Sequence, residues 1–343
     1  MPPRSRPSTS LLFLLILGAA FLGGQNPPPQ RPAGQAPPPP AAGGKPPSGQ
    51  ELEPGEGGVF KIKKEVQEVV LHATVVDEKQ RLVTNLDRAA FTVYEDGQPQ
   101  QITSFRREDI PVAMGIVVDN SGSMSRSRTA VNQATLNLVR ASNPQDQVFV
   151  VNFADEYFLD QDFTSNIGKL QEALEKIESR GGTALYDALI ASADHLKKDA
   201  KLDKKVLLVV TDGEDNRSRD PLEQAVERVA MNGGPTIYAI GIQLGGEKVR
   251  RAKRALQALA EQTGGLAFFP KNLDEVDTVS QAVAHDIRNQ YTIGYKPSNA
   301  QPGGGYRSVR VVAQSKGYKN LQVRTRSGYY ATQERAEKQP DPK

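Results

Sequence analysis

The chain contains no cysteine. It therefore has no disulfide framework, no thiolate zinc site, no Fe–S cluster, no cysteine nucleophile and no cysteine to carry a lipid behind a signal segment. Histidine is almost as scarce. His72, His195 and His285 are far apart in sequence, so a histidine-rich metal site is not expected. An excess of one charge is missing too: 43 Lys and Arg face 40 Asp and Glu, a net charge of +3. A dedicated nucleic-acid binder would instead show a concentrated basic stripe. Proline is sparse where a fold is expected, since 14 of the 24 prolines in this 343-residue chain fall within residues 1–58. The first sixth of the chain is thus compositionally separate, and the rest is long enough for one or two domains with an ample core.

Residues 1–24 carry Arg4 and Arg6, no acid, an apolar run from Leu11 to Leu17 and then Gly18, Ala19 and Ala20. This is the charged, apolar and small-residue order of an export signal peptide. The apolar stretch is about 14 residues, short of the roughly 20 that span a bilayer. An uncleaved anchor is the alternative, and no later stretch is apolar enough to span a membrane. In residues 25–58, eleven of 34 are proline and Leu52 is the one large aliphatic. Such a segment buries too little apolar area to offset its ordering entropy, so it is expected to be a disordered, partly polyproline II linker. Together these segments imply an exported protein: periplasmic, cell-envelope or extracellular.

Residues 59–108 read as strands: Val66–Val76 alternates in part and is rich in β-branched residues, Phe91–Tyr94 and Ile102–Phe105 follow, and Asp96-Gly97 marks a hairpin. From residue 111 the texture changes. Continuous apolar runs at Val112–Val118, Gln147–Phe153, Val206–Val210 and Ile237–Ile242 read as strands buried on both faces, with Leu266–Phe269 a short fifth. Helical patterns lie between them. One carries Val131, Leu138 and Val139 on a face, and the others cover Ile167–Ile177, Ala184–Leu196, Pro221–Met231, Glu247–Gln262 and Leu273–Asn289. Strands alternating with helices imply an α/β fold, a doubly wound, mostly parallel, Rossmann-like sheet over 111–289. Strand texture returns over 290–331, and 332–343 is a polar, disordered tail. Neither flank suffices alone, so 59–108 and 290–331 are expected to form one Ig-like β-sandwich into which the α/β domain is inserted.

In doubly wound sheets ligands bind beyond the carboxyl ends of the strands. The loop after the first buried strand is Asp119-Asn120-Ser121-Gly122-Ser123, the loop after the third is Thr211-Asp212-Gly213, and Gly181-Gly182-Thr183 precedes a helix. These loops supply two carboxylates and several hydroxyls, with no sulfur and no imidazole. That donor set suits a hard cation such as Mg²⁺, with Mn²⁺ or Ca²⁺ as alternatives. Few protein ligands leave the ion net positive charge and an open position that attracts an external carboxylate.

Asp119-x-Ser121-x-Ser123 with Thr183 and Asp212 resembles the metal-ion-dependent adhesion site of von Willebrand factor type A domains, and all five positions match. The motif alone is weak, but its placement after one buried strand, GGT about 60 residues on and VVTDG after another is specific. The resemblance covers about 111–289. The flanking FTVYEDGQPQQITSF of 91–105, YTIGYKP of 291–297 and Gly328-Tyr329-Tyr330 are similar to a secreted VWFA-related family common in Acidobacteria. The resemblance implies that Ser121 and Ser123 coordinate the metal directly. Asp119, Asp212 and Thr183 would act directly or through water, and an Asp or Glu of a protein partner would complete the shell. It implies a non-enzymatic protein-binding and adhesion module without nucleic-acid partners.

Other readings stand beside this one. Ser121 and Ser123 suit a turn or a helix N-cap. Asp155 and Glu156 fall at the same sheet edge as the site and suit a partner-binding rim. Asp215 suits that rim, a second cation site or a solvated loop. The basic run from Lys248 to Arg254 suits a solvated helix face or anionic partners. Tyr291, Tyr295, Tyr329 and Tyr330 suit a binding surface, or strand packing. A metal-dependent or serine hydrolase is the enzyme alternative. However, an aspartyl-phosphate phosphatase would need a carboxylate at position 121, and a serine hydrolase a Gly-x-Ser-x-Gly elbow. A subunit of a chelatase-like ATPase complex would share the metal site but not an export signal.

Overall fold

A computed structural model describes residues 53–54, 60–61, 68–107, 109–176, 179–231, 233–242, 248–299 and 305–331. Residues 1–24, read as an export signal, most of the proline-rich stretch and the tail 332–343 lie outside the described residues. The chain divides into two compact units, 1–63 and 64–343. In the first, Glu53–Pro54 pairs antiparallel with Phe60–Lys61.

In the second unit the chain runs through β1 (Val69–Val76), β2 (Phe91–Glu95), β3 (Gln98–Gln100) and β4 (Ile102–Arg106). It continues through β5 (Val112–Asp119), α1 (Arg128–Ala141), β6 (Gln147–Phe153), β7 (Tyr157–Thr164), α2 (Ile167–Glu175) and α3 (Leu185–Asp199). Next come β8 (Lys204–Thr211), α4 (Leu222–Ala230), β9 (Thr236–Gly241), α5 (Lys248–Thr263), β10 (Ala267–Phe268) and α6 (Asp274–Arg288). Strands β11 (Tyr291–Tyr295), β12 (Gly305–Ala313), β13 (Gln322–Arg324) and β14 (Gly328–Ala331) close the fold. No helix among the described residues is long and apolar enough to cross a membrane.

The central sheet has the order β10-β9-β8-β5-β6-β7, parallel except for β7. Every residue of β5 is buried, because the sheet is covered on both faces. Val112, Met114, Ile116 and Val118 face a cluster with Leu138 of α1, Leu170 of α2 and Val283 of α6. Ala113 and Val117 face Leu189 of α3, Val229 of α4 and Leu256 of α5. Each fully buried Val, Leu or Ile contributes about 1.5–3 kcal/mol, so these two layers are the main source of the domain's stability. Gly115 is where β5 comes closest to its neighbours: a Cβ there would lie 2.3 Å from Phe149 Cζ and 2.6 Å from Leu207 Cδ2.

The flanks form two antiparallel sheets, β13-β1-β11-β4 and β14-β12-β2-β3. Both contribute to one core, including Leu71, Val93, Ile293 and Val311. The two sheets are therefore the halves of a sandwich, and the α/β domain enters between β4 and β11. Tyr291, Tyr295 and Tyr329 are buried in this core and present no binding surface. Glu95, itself buried, accepts hydrogen bonds from Tyr295 Oη at 2.6 Å, Tyr329 Oη at 2.8 Å and Arg307 Nη1 at 3.0 Å. Burial pushes the Tyr329 phenol up to about 12 and Tyr295 further up. In the β2–β3 hairpin Asp96 and Gly97 both take positive φ, 47° and 78°, as a tight primed turn requires.

The domain and the sandwich meet at the end of α6. Asp286 is buried and accepts from Tyr238 Oη at 2.5 Å, Arg324 Nη2 at 2.6 Å and Thr74 Oγ1 at 3.4 Å. Nearby, Lys204 Nζ donates to the Ile287 carbonyl at 2.5 Å, and burial pushes its ammonium down to about 8 against the pull of Asp109, Asp286 and Asp146.

Candidate metal site

β5 delivers Asp119 to the carboxyl edge of the sheet with no exposed surface. The Asn120 N–H donates to the Phe153 carbonyl at 2.7 Å and ties the loop to β6. Asp119 Oδ1 accepts the Ser121 N–H at 2.8 Å, and Oδ2 accepts the hydroxyl of Thr211. A 3₁₀ turn, Gly122–Arg126, then leads into α1. Ser121 stands at the N-cap position of that turn, yet its side chain makes no capping bond. Its Oγ lies 3.1 Å from Ser123 Oγ, and Ser123 Oγ donates to Asp212 Oδ1 at 2.8 Å.

Thr183 comes from the Gly-Gly-Thr loop and is buried. Its N–H donates to Asn216 Oδ1 at 3.1 Å, and its carbonyl accepts the Asn216 and Arg217 N–H groups at 3.0 and 3.2 Å. Its hydroxyl sits against Gly213, where an added Cβ would lie 3.4 Å from Thr183 Oγ1. The Arg180 N–H donates to the Asn120 carbonyl at 2.8 Å, which joins this loop to the first. The structure thus brings Asp119, Ser121, Ser123, Thr183 and Asp212 together at one edge. Burial pushes the Asp119 carboxyl up, hydrogen bonds from Thr211 and Ser121 oppose this, and the Asp212 charge adds to the rise. Burial also pushes Asp212 up, opposed by the bond from Ser123. Among the described residues, no three His, Cys, Asp or Glu side chains gather as a metal cage. The donor set at this edge is instead two carboxylates and three hydroxyls, all hard oxygens, which suit a small divalent cation.

The residues read as a rim have internal duties. Asp155 Oδ1 accepts the Gly182 N–H at 2.9 Å and pairs with Arg217 Nε at 3.0 Å. Gly181 (φ +76°) makes that approach feasible, since a Cβ there would lie 2.3 Å from Asp155 Oδ2. Asp215 Oδ2 accepts the Tyr186 N–H at 3.0 Å and the Ser218 hydroxyl at 2.5 Å, which fastens its loop to the start of α3. Glu156 is exposed. In the basic run, Arg251 pairs with Glu214 at 3.1 Å, and Lys253 lies over the Phe269 ring at 5.2 Å. His195 bridges Asp162 and Asp199 at 2.9 and 3.0 Å and stacks on Phe163, a structural role.

Two contributors escape a motif-based reading. Thr211 holds Asp119 from the neighbouring strand, and Arg128 donates to Asn120 Oδ1 from the first turn of α1. For Thr211 the available signal is its place between a buried strand and Asp212. For Arg128 the sequence carries none.

The fold and this edge define a doubly wound α/β domain with an oxygen-donor site at its carboxyl end. A family model for the von Willebrand factor type A domain matches residues 114–214, so the chain carries a domain of that family. The inter-alpha-trypsin inhibitor heavy chain H4 of Bos taurus is 27% identical over 209 residues, covering 56% of this chain and 22% of that protein. The chain therefore spans about a fifth of that relative's length. Similar solved structures include the vWF domain of a type V pili tip protein from Porphyromonas gingivalis (14% identity, 52% of this chain, 95% of that one, TM-score 0.45). A von Willebrand factor type A protein from Catenulispora acidiphila is 15% identical, covering 74% of this chain and 71% of that one at a TM-score of 0.46. Proximal thread matrix protein 1 from the mussel byssus, described with a zinc-occupied MIDAS motif, is 18% identical over 56% of this chain and 49% of its own, with a TM-score of 0.44.

Proposed function

We propose that this protein is an exported, non-enzymatic protein-binding and adhesion module. In this reading Asp119, Ser121, Ser123, Thr183 and Asp212 hold Mg²⁺, with Mn²⁺ or Ca²⁺ as alternatives, and a partner's Asp or Glu is captured there. The observation that carries it is the use of the two serines. Ser121 occupies an N-cap position without capping, and its hydroxyl instead lines up with Ser123 and Asp212. A hydroxyl chain between a buried carboxylate and a half-buried one is a poor turn motif and a good hard-cation cradle.

The bound ion supplies an open coordination position for an external carboxylate. The chain's own residues do the rest. Thr211 and the Ser121 N–H fix both oxygens of Asp119, so its carboxylate cannot swing away. Asp155 and Asn216 hold the loop that presents Thr183. Two histidines make their contacts elsewhere, His72 with Thr292 and His195 with two aspartates, so neither activates Ser121 or Ser123 as a nucleophile. The N-terminal signal and proline-rich spacer support presentation of the domain outside the cytoplasm.

The test is calorimetric titration with Mg²⁺ and Mn²⁺, followed by pull-down from the cell envelope with and without EDTA. The expected result is saturable metal binding that Asp119→Ala abolishes, and partner capture lost in EDTA. Equal metal binding by Asp119→Ala, or a partner held no less tightly in EDTA than in Mg²⁺, refutes the reading.

A further inference from the structure

Of the large apolar side chains exposed among the described residues, half stand side by side on one strand. Tyr157, Phe158 and Leu159 are 46, 52 and 50% exposed, whereas Val70, Met231 and Tyr306 are scattered. The three open β7, the terminal strand of the central sheet. Among the described residues β7 pairs only with β6, in a register that shifts twice beyond Leu159, so its outer edge presents unused backbone N–H and C=O groups along Tyr157–Leu159. Side chains alternate along a strand, which places Tyr157 and Leu159 on one face of that edge and Phe158 on the other. Edge strands left in solvent ordinarily carry lysine, proline or charge at such positions. Here the charge is displaced to the two ends: Asp155 and Glu156 precede the apolar triplet, and Asp160 and Asp162 follow it, with Asp155 also paired to Arg217, Asp160 accepting from Asn152 and Asp162 contacting His195.

That charge pattern selects the occupant. A second copy pairing antiparallel about Phe158 would set Glu156 against Asp160, where the register of β7 shifts. Like charges directly opposite are destabilising. A strand with basic ends has the complementary pattern. We propose that the outer edge of β7 is a docking site for an extended segment of a protein partner, apolar at its centre and carrying Lys or Arg at both ends. The segment adds a strand to the sheet through backbone hydrogen bonds. Its central side chains cover Tyr157, Phe158 and Leu159, and its basic ends face Glu156 and Asp160. The register places Asp119 beside Phe153 and Phe153 beside Tyr157, two strand spacings or about 10 Å in all. One partner can therefore reach both this edge and the candidate metal site, but strand docking itself needs no cation.

The probe is a short fluorescent peptide with an alternating Val/Ile centre and paired lysines at each end, read by anisotropy and by amide exchange. It is expected to bind about tenfold more tightly than the same peptide with glutamate ends and to slow exchange within 157–162. Binding should persist in EDTA and in Asp119→Ala, so failure here is distinct from failure of the metal-site reading. Leu159→Asp should weaken binding about tenfold. Methylating alternate peptide nitrogens should abolish it without altering the protein. No binding by the lysine-ended peptide, equal binding by the N-methylated or glutamate-ended one, or slowed exchange elsewhere overturns the proposal. So does a dimer in sedimentation that Leu159→Asp dissociates.

Discussion

Replacing Asp286 with alanine removes the acceptor on which the junction between the α/β domain and the sandwich converges. Three donors lose their partner: the Tyr238 hydroxyl, the Arg324 guanidinium and the Thr74 hydroxyl. Tyr238 has no exposed surface, so its O–H is stranded at a cost of about 1–3 kcal/mol. The Arg324 side chain is 24% exposed and recovers part of its hydration, so its loss is nearer the low end of that range. Arg324 Nε is already buried without a partner, which leaves the guanidinium little to fall back on. The sum is about 3–5 kcal/mol, in keeping with removal of one member of a buried ion pair. At roughly 2–4 °C per kcal/mol the melting temperature falls by about 10 °C. Urea unfolding followed by far-UV circular dichroism checks this, with an unchanged m-value as evidence that the end states are the same. Asp286→Asn, which keeps an acceptor oxygen, should cost clearly less. A loss below about 1 kcal/mol for Asp286→Ala would mean that water already satisfies these groups and that the junction contributes little.

Further outcomes follow from the same geometry. Lys204 has a folded-state value of about 8 against an ordinary 10.5, so in that window the unfolded chain binds a proton that the folded chain does not. Stability should therefore rise with pH between about 8 and 9.5, by about 2 kcal/mol. Lys204→Met should lack this slope in thermal melts across that range. Gly115→Ala pushes a methyl group into Phe149 and Leu207 and should cost about 1–3 kcal/mol in denaturant titration, although alanine is otherwise the gentlest replacement for glycine. Thr211→Val removes the donor that fixes Asp119 Oδ2 and should weaken Mg²⁺ binding about 10- to 100-fold in calorimetry while leaving the fold intact.

The stretches of the fold legible in the sequence are those where one physical signal dominates. Val112–Val118 and Val206–Val210 are apolar without a break because helices cover both faces of their strands, and they appear as β5 and β8. Helix ends depart from the periodicity where local chemistry outweighs it. α3 runs on to Asp199 because Lys197 and Lys198 suit the negative end of a helix dipole. β7 carries no comparable mark. Its side chains are exposed at every position from Tyr157 to Asp160, so neither alternation nor a buried run signals a strand. At the candidate site, the acidic and hydroxyl residues stand out by placement after buried strands. Thr211 does not, because its role depends on the register that sets Val210 beside Val118 and so carries Thr211 next to Asp119. Asp155 likewise acquires its role only through loops distant in sequence.

The insertion of the α/β domain has a mechanical consequence. Both chain crossings to the sandwich, from Arg106 into β5 and from Arg288 into β11, lie at the end of the sheet opposite Asp119. Arg288 pairs with Asp109 there at 2.9 Å. A pull applied at Asp119 and resisted by the sandwich therefore runs lengthwise along β5. That strand is held on both sides, by β8 from Val112 to Val118 and by β6 from Ala113 to Asp119. These ladders lie across the line of tension, so their rungs must all slide as a block and cannot unzip in succession. A strand loaded in shear between two neighbours resists far more force than a hairpin peeled from its end, so the sheet is built to hold against a load applied at that edge.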